Sequence, residues 1–169
     1  SDHLWRTHPV KVFSTYFRLP DVTGHLASNY VARAPAVEAA ERERNGTLDD
    51  ATLARMDGEF ARVLAPVYEW MHRTVAKWIA RIDDRTLLIV CSDHGFRYVN
   101  GGYYHPPKSG GPPDGVLFLF GKGVKRTRVS GATLFDVAPT ILYAMGQPQP
   151  RDMDGAPLRA VAILPQPRS

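Results

Sequence analysis

Apolar residues recur along residues 53–82 at close to the helical period. Leu53, Met56, Phe60, Val63, Leu64 and Val67 share one face, and Trp70, Met71, Val75, Trp78, Ile79 and Ile82 continue it. Arg73, Lys77 and Arg81 fall largely on another face, as a solvated surface requires. Asp49 or Asp50 is well placed to cap the start. Pro66 is expected to kink this helix or divide it in two. Residues 25–44 read as an earlier helical stretch, in one or two pieces about Pro35, closed by the Asn45-Gly46 turn signal. Asp83-Asp84-Arg85 ends the long helix.

Four runs read as strands, the last of them short. Residues 10–17 (VKVFSTYF) are β-branched and aromatic, and Leu19-Pro20-Asp21 breaks them. Residues 86–91 (TLLIVC) are almost wholly apolar, the pattern of a parallel strand buried on both faces. Residues 115–120 (GVLFLF) repeat that pattern, and 126–129 predict a short edge strand. Residues 134–145 read as a helix despite Pro139, ending near Gly146. Between the strands, residues 96–114 form a long Gly- and Pro-rich loop, a length often tied to function. The Pro-rich tail, 147–169, is expected to run over the surface. This order predicts a single α/β domain over residues 1–169, a layered sheet with mainly parallel strands flanked by helices.

Composition narrows the function classes. With 169 residues, 44% of them hydrophobic, the chain can bury a core and does not read as disordered. Its formal charge is +4, but Lys and Arg are scattered, so there is no nucleic-acid-binding stripe. That balance is compatible with an anionic substrate. One cysteine, Cys91, rules out an internal disulfide framework and is expected as a buried small hydrophobe. No run approaches the ~18 apolar residues of a membrane span. The start, Ser1-Asp2-His3-Leu4, has neither the basic nor the apolar region of a secretory signal. It also lacks Met, so it reads as processed or excerpted, and the compartment stays open.

Two carboxylate–imidazole pairs carry the candidate chemistry: Asp21-x-x-x-His25 and Asp93-His94. Each follows an expected strand, and in parallel α/β sheets reactive groups collect at the carboxyl ends of strands. All four side chains are therefore expected to converge. Two Asp and two His without thiolates suit zinc or manganese. Asp21 and His25, four apart, share a face if a helix starts near them; otherwise Asp21 is a helix cap with an incidental histidine. Asp93-His94 either holds a loop or supplies ligands, with Gly95 allowing a tight backbone path. His105, before Pro106-Pro107, is either an exposed loop histidine or a late-arriving ligand. His3, His8 and His72 have no comparable setting. Arg18, Lys108 and Lys122 could touch an anionic substrate, although a solvated role is the simpler reading.

Four segments together resemble a known family. Tyr16-Phe17-Arg18-Leu19-Pro20-Asp21-Val22-Thr23-Gly24-His25 is the first, and Ile89-Val90-Cys91-Ser92-Asp93-His94-Gly95-Phe96 the second. The third is Asp114-Gly115-Val116-Leu117-Phe118-Leu119-Phe120-Gly121-Lys122-Gly123-Val124. The fourth joins Asp136-Val137-Ala138-Pro139-Thr140-Ile141-Leu142 to Met153-Asp154-Gly155-Ala156-Pro157-Leu158. In this order they resemble motifs of the alkaline phosphatase superfamily, and more narrowly its type I phosphodiesterase/nucleotide pyrophosphatase branch. The resemblance implies an alkaline phosphatase-like fold and a hydrolase of phosphate esters with two divalent ions, zinc or manganese. It assigns Asp21, His25 and His105 to one ion, and Asp93 and His94 to the other. The family's Thr or Ser nucleophile, and one further Asp ligand, precede the segment matched by Asp21. Nothing before Asp21 matches them, and Ser14 and Thr15 sit within the expected strand. The resemblance thus implies the C-terminal part of a catalytic domain whose N-terminal part is missing, inactive by itself. Pro106–Pro113 also separate His105 from the next strand, where the family has only a few residues. The rival expectation is a non-catalytic metal- or phosphate-binding fragment, or half of a split enzyme.

Overall fold

The computed structural model describes residues 2–8, 10–32, 50–99, 102–104 and 114–164. They form two compact units, Ser1–Trp70 with Tyr98–Tyr104, and Met71–Arg97 with His105–Ser169.

The first unit is mainly helical. A short helix, α1 (Asp2–Thr7), leads into residues 10–18, which form no strand. The expected strand at 10–17 is therefore overturned. Val10 (50% exposed), Val12 (49%) and Tyr16 (79%) face solvent, so the apolar character that predicted pairing is not used for it. Trp5 meets Phe13 edge-on, with ring centroids 5.7 Å apart. The next helix, α2 (Leu19–Ala32), begins six residues earlier than expected and takes Pro20 and Asp21 into its first turn. Proline is tolerated there because the first N–H groups of a helix have no intrahelical acceptor. Gly24 and Ala27 are buried, and α2 packs against β3 (Gly102–Tyr104). β3 pairs with β2 (Arg97–Val99) in a two-stranded sheet.

The long helix, α3 (Asp50–Ile79), starts at an expected capping aspartate and runs unbroken through Pro66. One lost hydrogen bond, roughly 3 kcal/mol, does not divide a helix whose apolar stripe extends on both sides. Leu64 is buried on that stripe, and Trp70 meets Phe17 edge-on at 5.4 Å. Arg73, Lys77 and Arg81 are exposed, as expected.

In the second unit Asp83 launches the first strand. Its carboxylate accepts from the Thr86 hydroxyl (2.6 Å) and the Arg85 N–H (3.0 Å), and these bonds hold its pKa below the ordinary value. β1 (Leu88–Cys91) then pairs with β4 (Leu117–Phe120), antiparallel, with Leu88 opposite Phe120 and Cys91 opposite Leu117. The expected layered, mainly parallel sheet is thus wrong. Among the described residues the chain is mostly helical, with two-stranded sheets. An apolar run records burial, not strand direction, and residues 10–17 offer no parallel neighbour. Cys91 is exposed rather than buried, and residues 126–129 form no strand.

A 3-10 turn (Leu134–Asp136) passes into α4 (Val137–Ala144). Pro139 is buried in the first turn of α4, where its missing N–H costs little. Asp136 ties this turn together. Its carboxylate accepts from the N–H groups of Thr133 (2.7 Å) and Ala156 (2.8 Å) and from the Thr133 hydroxyl (3.1 Å). Thr140, fully buried, donates its hydroxyl to the Asp136 carbonyl (2.6 Å) and accepts the Leu158 N–H (2.9 Å). Gly155 is required by close approach, since a Cβ there would run into the Phe135 carbonyl. The tail runs over the surface as expected at 147–152, but its later part is drawn into the core. Leu158, Ala160 and Val161 are buried, Val161 bridges Val124, and Leu164 N–H reaches the Ala144 carbonyl (2.7 Å).

Candidate metal centre

Asp21 and His25 lie on successive turns of α2, because the helix begins at Leu19 and both fall inside it. Asp21 is the third helical residue, not the cap. The Val22 N–H reaches back to the Arg18 carbonyl at 3.1 Å. His25 Nε2 stands 3.4 Å from Asp21 Oδ1, an oxygen that is itself shielded from solvent. Two ligands about 2.0–2.1 Å from a tetrahedral zinc lie about 3.3–3.4 Å apart. The donor chemistry and spacing of this pair therefore fit one such ion.

Asp93 and His94 stand beyond the end of β1. His94 is mostly covered and Asp93 is 70% exposed, with His94 Nε2 3.8 Å from Asp93 Oδ2. His94 Nδ1 lies 3.2 Å from the Gly95 carbonyl, which can only accept. With the proton on Nδ1 that nitrogen donates to the carbonyl, and Nε2 is left as the ring atom that could bind a metal. Phe96 packs edge-on against the imidazole at 5.9 Å. This pair has the right donors at a slightly wider spacing.

Each pair is assembled within its own unit, Asp21–His25 in the first and Asp93–His94 in the second. Among the described residues no group of three or more His, Cys, Asp or Glu is arranged to hold a metal ion. His105 and Lys108 lie outside the described residues. His3, His8 and His72 are exposed, and so is Arg18. Lys122 pairs with Asp84 between two exposed turns, in keeping with a solvated role. Ser14 and Thr15 are exposed on the irregular segment before α2.

Several residues escaped the sequence reading. A broad open trough in the second unit is lined by Ser92, Asp93, Asp114, Arg126 and Arg128, with Leu117 and Phe118 among its apolar residues. The two arginines alternate with Thr127 and Val129, a pattern that reads equally well as an edge strand. Ser92 and Gly115 lock the end of β1 to the start of β4. Both stood within the resembling motifs, with no role of their own assigned to them.

No helix among the described residues is long and apolar enough to cross a membrane. Comparison with family models, curated proteins and solved structures finds no match to this chain.

Proposed function

We propose that this chain supplies metal ligands to a hydrolase of phosphate esters, of the kind its four motifs resemble. Asp21 and His25 serve one divalent ion, with His105 as a further ligand, and Asp93 and His94 serve the other. Zinc is the favoured ion and manganese the alternative. The observation that carries this reading is the Asp21–His25 pair, whose 3.4 Å donor spacing suits two ligands of one ion. The substrate class is phosphodiesters, nucleotide pyrophosphates or phosphomonoesters. Bound ions would supply Lewis acidity toward a phosphoryl oxygen and lower the pKa of a nucleophile. The chain's own residues hold donors at fixed spacing, and Arg126 and Arg128 offer positive charge in the trough that Asp93 lines.

A non-catalytic metal- or phosphate-binding role for the chain alone has one observation in its favour. Ser14 and Thr15 belong to no helix start, where a nucleophile would be activated. The isolated chain is therefore expected to bind zinc and to leave a nitrophenyl phosphodiester intact. Calorimetric titration of zinc into the parent, His25→Ala and His94→Ala tests the binding. Equal binding by all three would end the metal reading. Turnover by the 169-residue chain, lost in His94→Ala, would instead place a nucleophile within it.

A further inference from the structure

We propose that Ser92 and Gly115 act as a positioning clasp that sets the direction in which Asp93 and His94 leave β1. The inference rests on the metal reading of that pair. The β1–β4 ladder ends at Cys91 opposite Leu117, so Ser92 and Val116 are the next pair in register. Ser92 N–H donates to the Val116 carbonyl at 3.0 Å, as a ladder residue would. The Val116 N–H, however, goes to the Ser92 hydroxyl oxygen at 2.9 Å. The side chain has taken the place of the Ser92 carbonyl in the ladder. The backbone can then turn out of the sheet at Ser92 without leaving the Val116 N–H unpaired, and Asp93 sits in the resulting bend. An alanine at 92 has no oxygen to make this exchange. Threonine keeps it.

Gly115 makes the approach possible. A Cβ there would run into the Ser92 carbonyl oxygen and carbon, and would lie 3.1 Å from its Oγ. The first obstacle is backbone, which cannot rotate away, so any side chain at 115 must part the two strands. The next residues after Ser92 are the two donors themselves. A change of direction at Ser92 is therefore passed directly to the Asp93 carboxylate and the His94 ring. Groups that orient a ligand without touching the metal typically govern about 10–100-fold in affinity.

The test is zinc titration of the full 169-residue chain and its variants, alongside thermal unfolding. Ser92→Ala is expected to weaken zinc binding at the site that His94→Ala abolishes by about 10-fold, and Ser92→Thr to restore it. Thr86→Ala is the structural control. It removes a hydroxyl bond to Asp83 at the opposite end of β1, and it should lower the unfolding temperature while leaving zinc affinity unchanged. Gly115→Ala should lose the site more completely; if it does not fold, the Ser92 series still decides. Binding unchanged in Ser92→Ala, with His94→Ala defective, would overturn the clasp and leave the metal reading standing. Equal losses in Ser92→Ala and Thr86→Ala would reduce the clasp to general stability and overturn it as well. Parent and His94→Ala binding zinc alike would defeat the metal reading of that pair, and the clasp with it.

Discussion

Asp21–His25 and Asp93–His94 are chemically the same pair, but different forces hold them. The first is built by one helix. Once α2 starts at Leu19, a spacing of four puts carboxylate and imidazole 3.4 Å apart, with no help from distant residues. The second pair is adjacent in sequence, and adjacency alone aims nothing. The residue before it, Ser92, is anchored by Val116, which lies twenty-four residues further along the chain. The pair's ring is steadied by the Gly95 carbonyl and by Phe96. A pair made by helical geometry should survive damage elsewhere; one made by strand pairing should not.

The sharpest way to break that contrast is to weaken the second unit far from either pair. Thr140→Val keeps the shape of a fully buried side chain but deprives the Leu158 N–H and the Asp136 carbonyl of their partner. The expected loss is about 1–3 kcal/mol, read from denaturant unfolding. While the second unit holds, zinc affinity at Asp93–His94 should match the parent; as denaturant unfolds that unit, binding there should be lost while Asp21–His25 is spared. Equal damage at both pairs would show that the helix pair is not locally determined.

Acid should act on the same region. The Ala156 N–H, and after it the groups of Thr133, hold the Asp136 carboxyl below its ordinary value of 3.8. A carboxylate depressed in the folded state stabilises above its unfolded pKa, and that contribution disappears as pH falls through the folded one. Unfolding of the second unit should therefore become easier below about pH 4, where the unfolded-state carboxyl begins to protonate. Asp136→Asn should flatten the pH dependence at a cost of about 1 kcal/mol near neutrality. Amide hydrogen exchange across α4 as a function of pH measures both.

Smaller effects test the helix pair by itself. Asp21 lies in the first turn of α2, where a negative charge favours the helix dipole, and it faces His25 one turn on. Asp21→Asn should cost about 0.3–1 kcal/mol without metal, seen as faster amide exchange along α2 and not in β1. Least of all, Lys122→Ala removes an exposed ion pair with Asp84. Surface pairs are worth about 0–1 kcal/mol and fade in salt, so no change in the unfolding midpoint is expected above about 0.5 M salt.

What could be read from the sequence follows the same division. The helical period placed α3 and its start at Asp50, because that period is set within the helix. Asp21 and His25 were expected to share a face only if a helix started near them, and the start of α2 at Leu19, ahead of the expected His25, is what sets their spacing. The apolar runs at 86–91 and 115–120 located β1 and β4. Apolarity carries no record of direction, though, so the antiparallel pairing was decided only when the two strands met. Residues 10–17 have strand-like side chains and no strand, since pairing needs a partner that local preference cannot supply. Pro66 did not divide α3, because an amphipathic face on both sides outweighs one missing hydrogen bond. The tail looked like surface because it is rich in proline. Leu158, Ala160 and Val161 became core only through the bonds that Asp136, Thr140 and Gly123 make to it across the fold. The sequence determined which carboxylates and imidazoles lie close along the chain. Tertiary structure decided how Asp93 and His94 are aimed, because that orientation is set by hydrogen bonds between residues far apart in the chain.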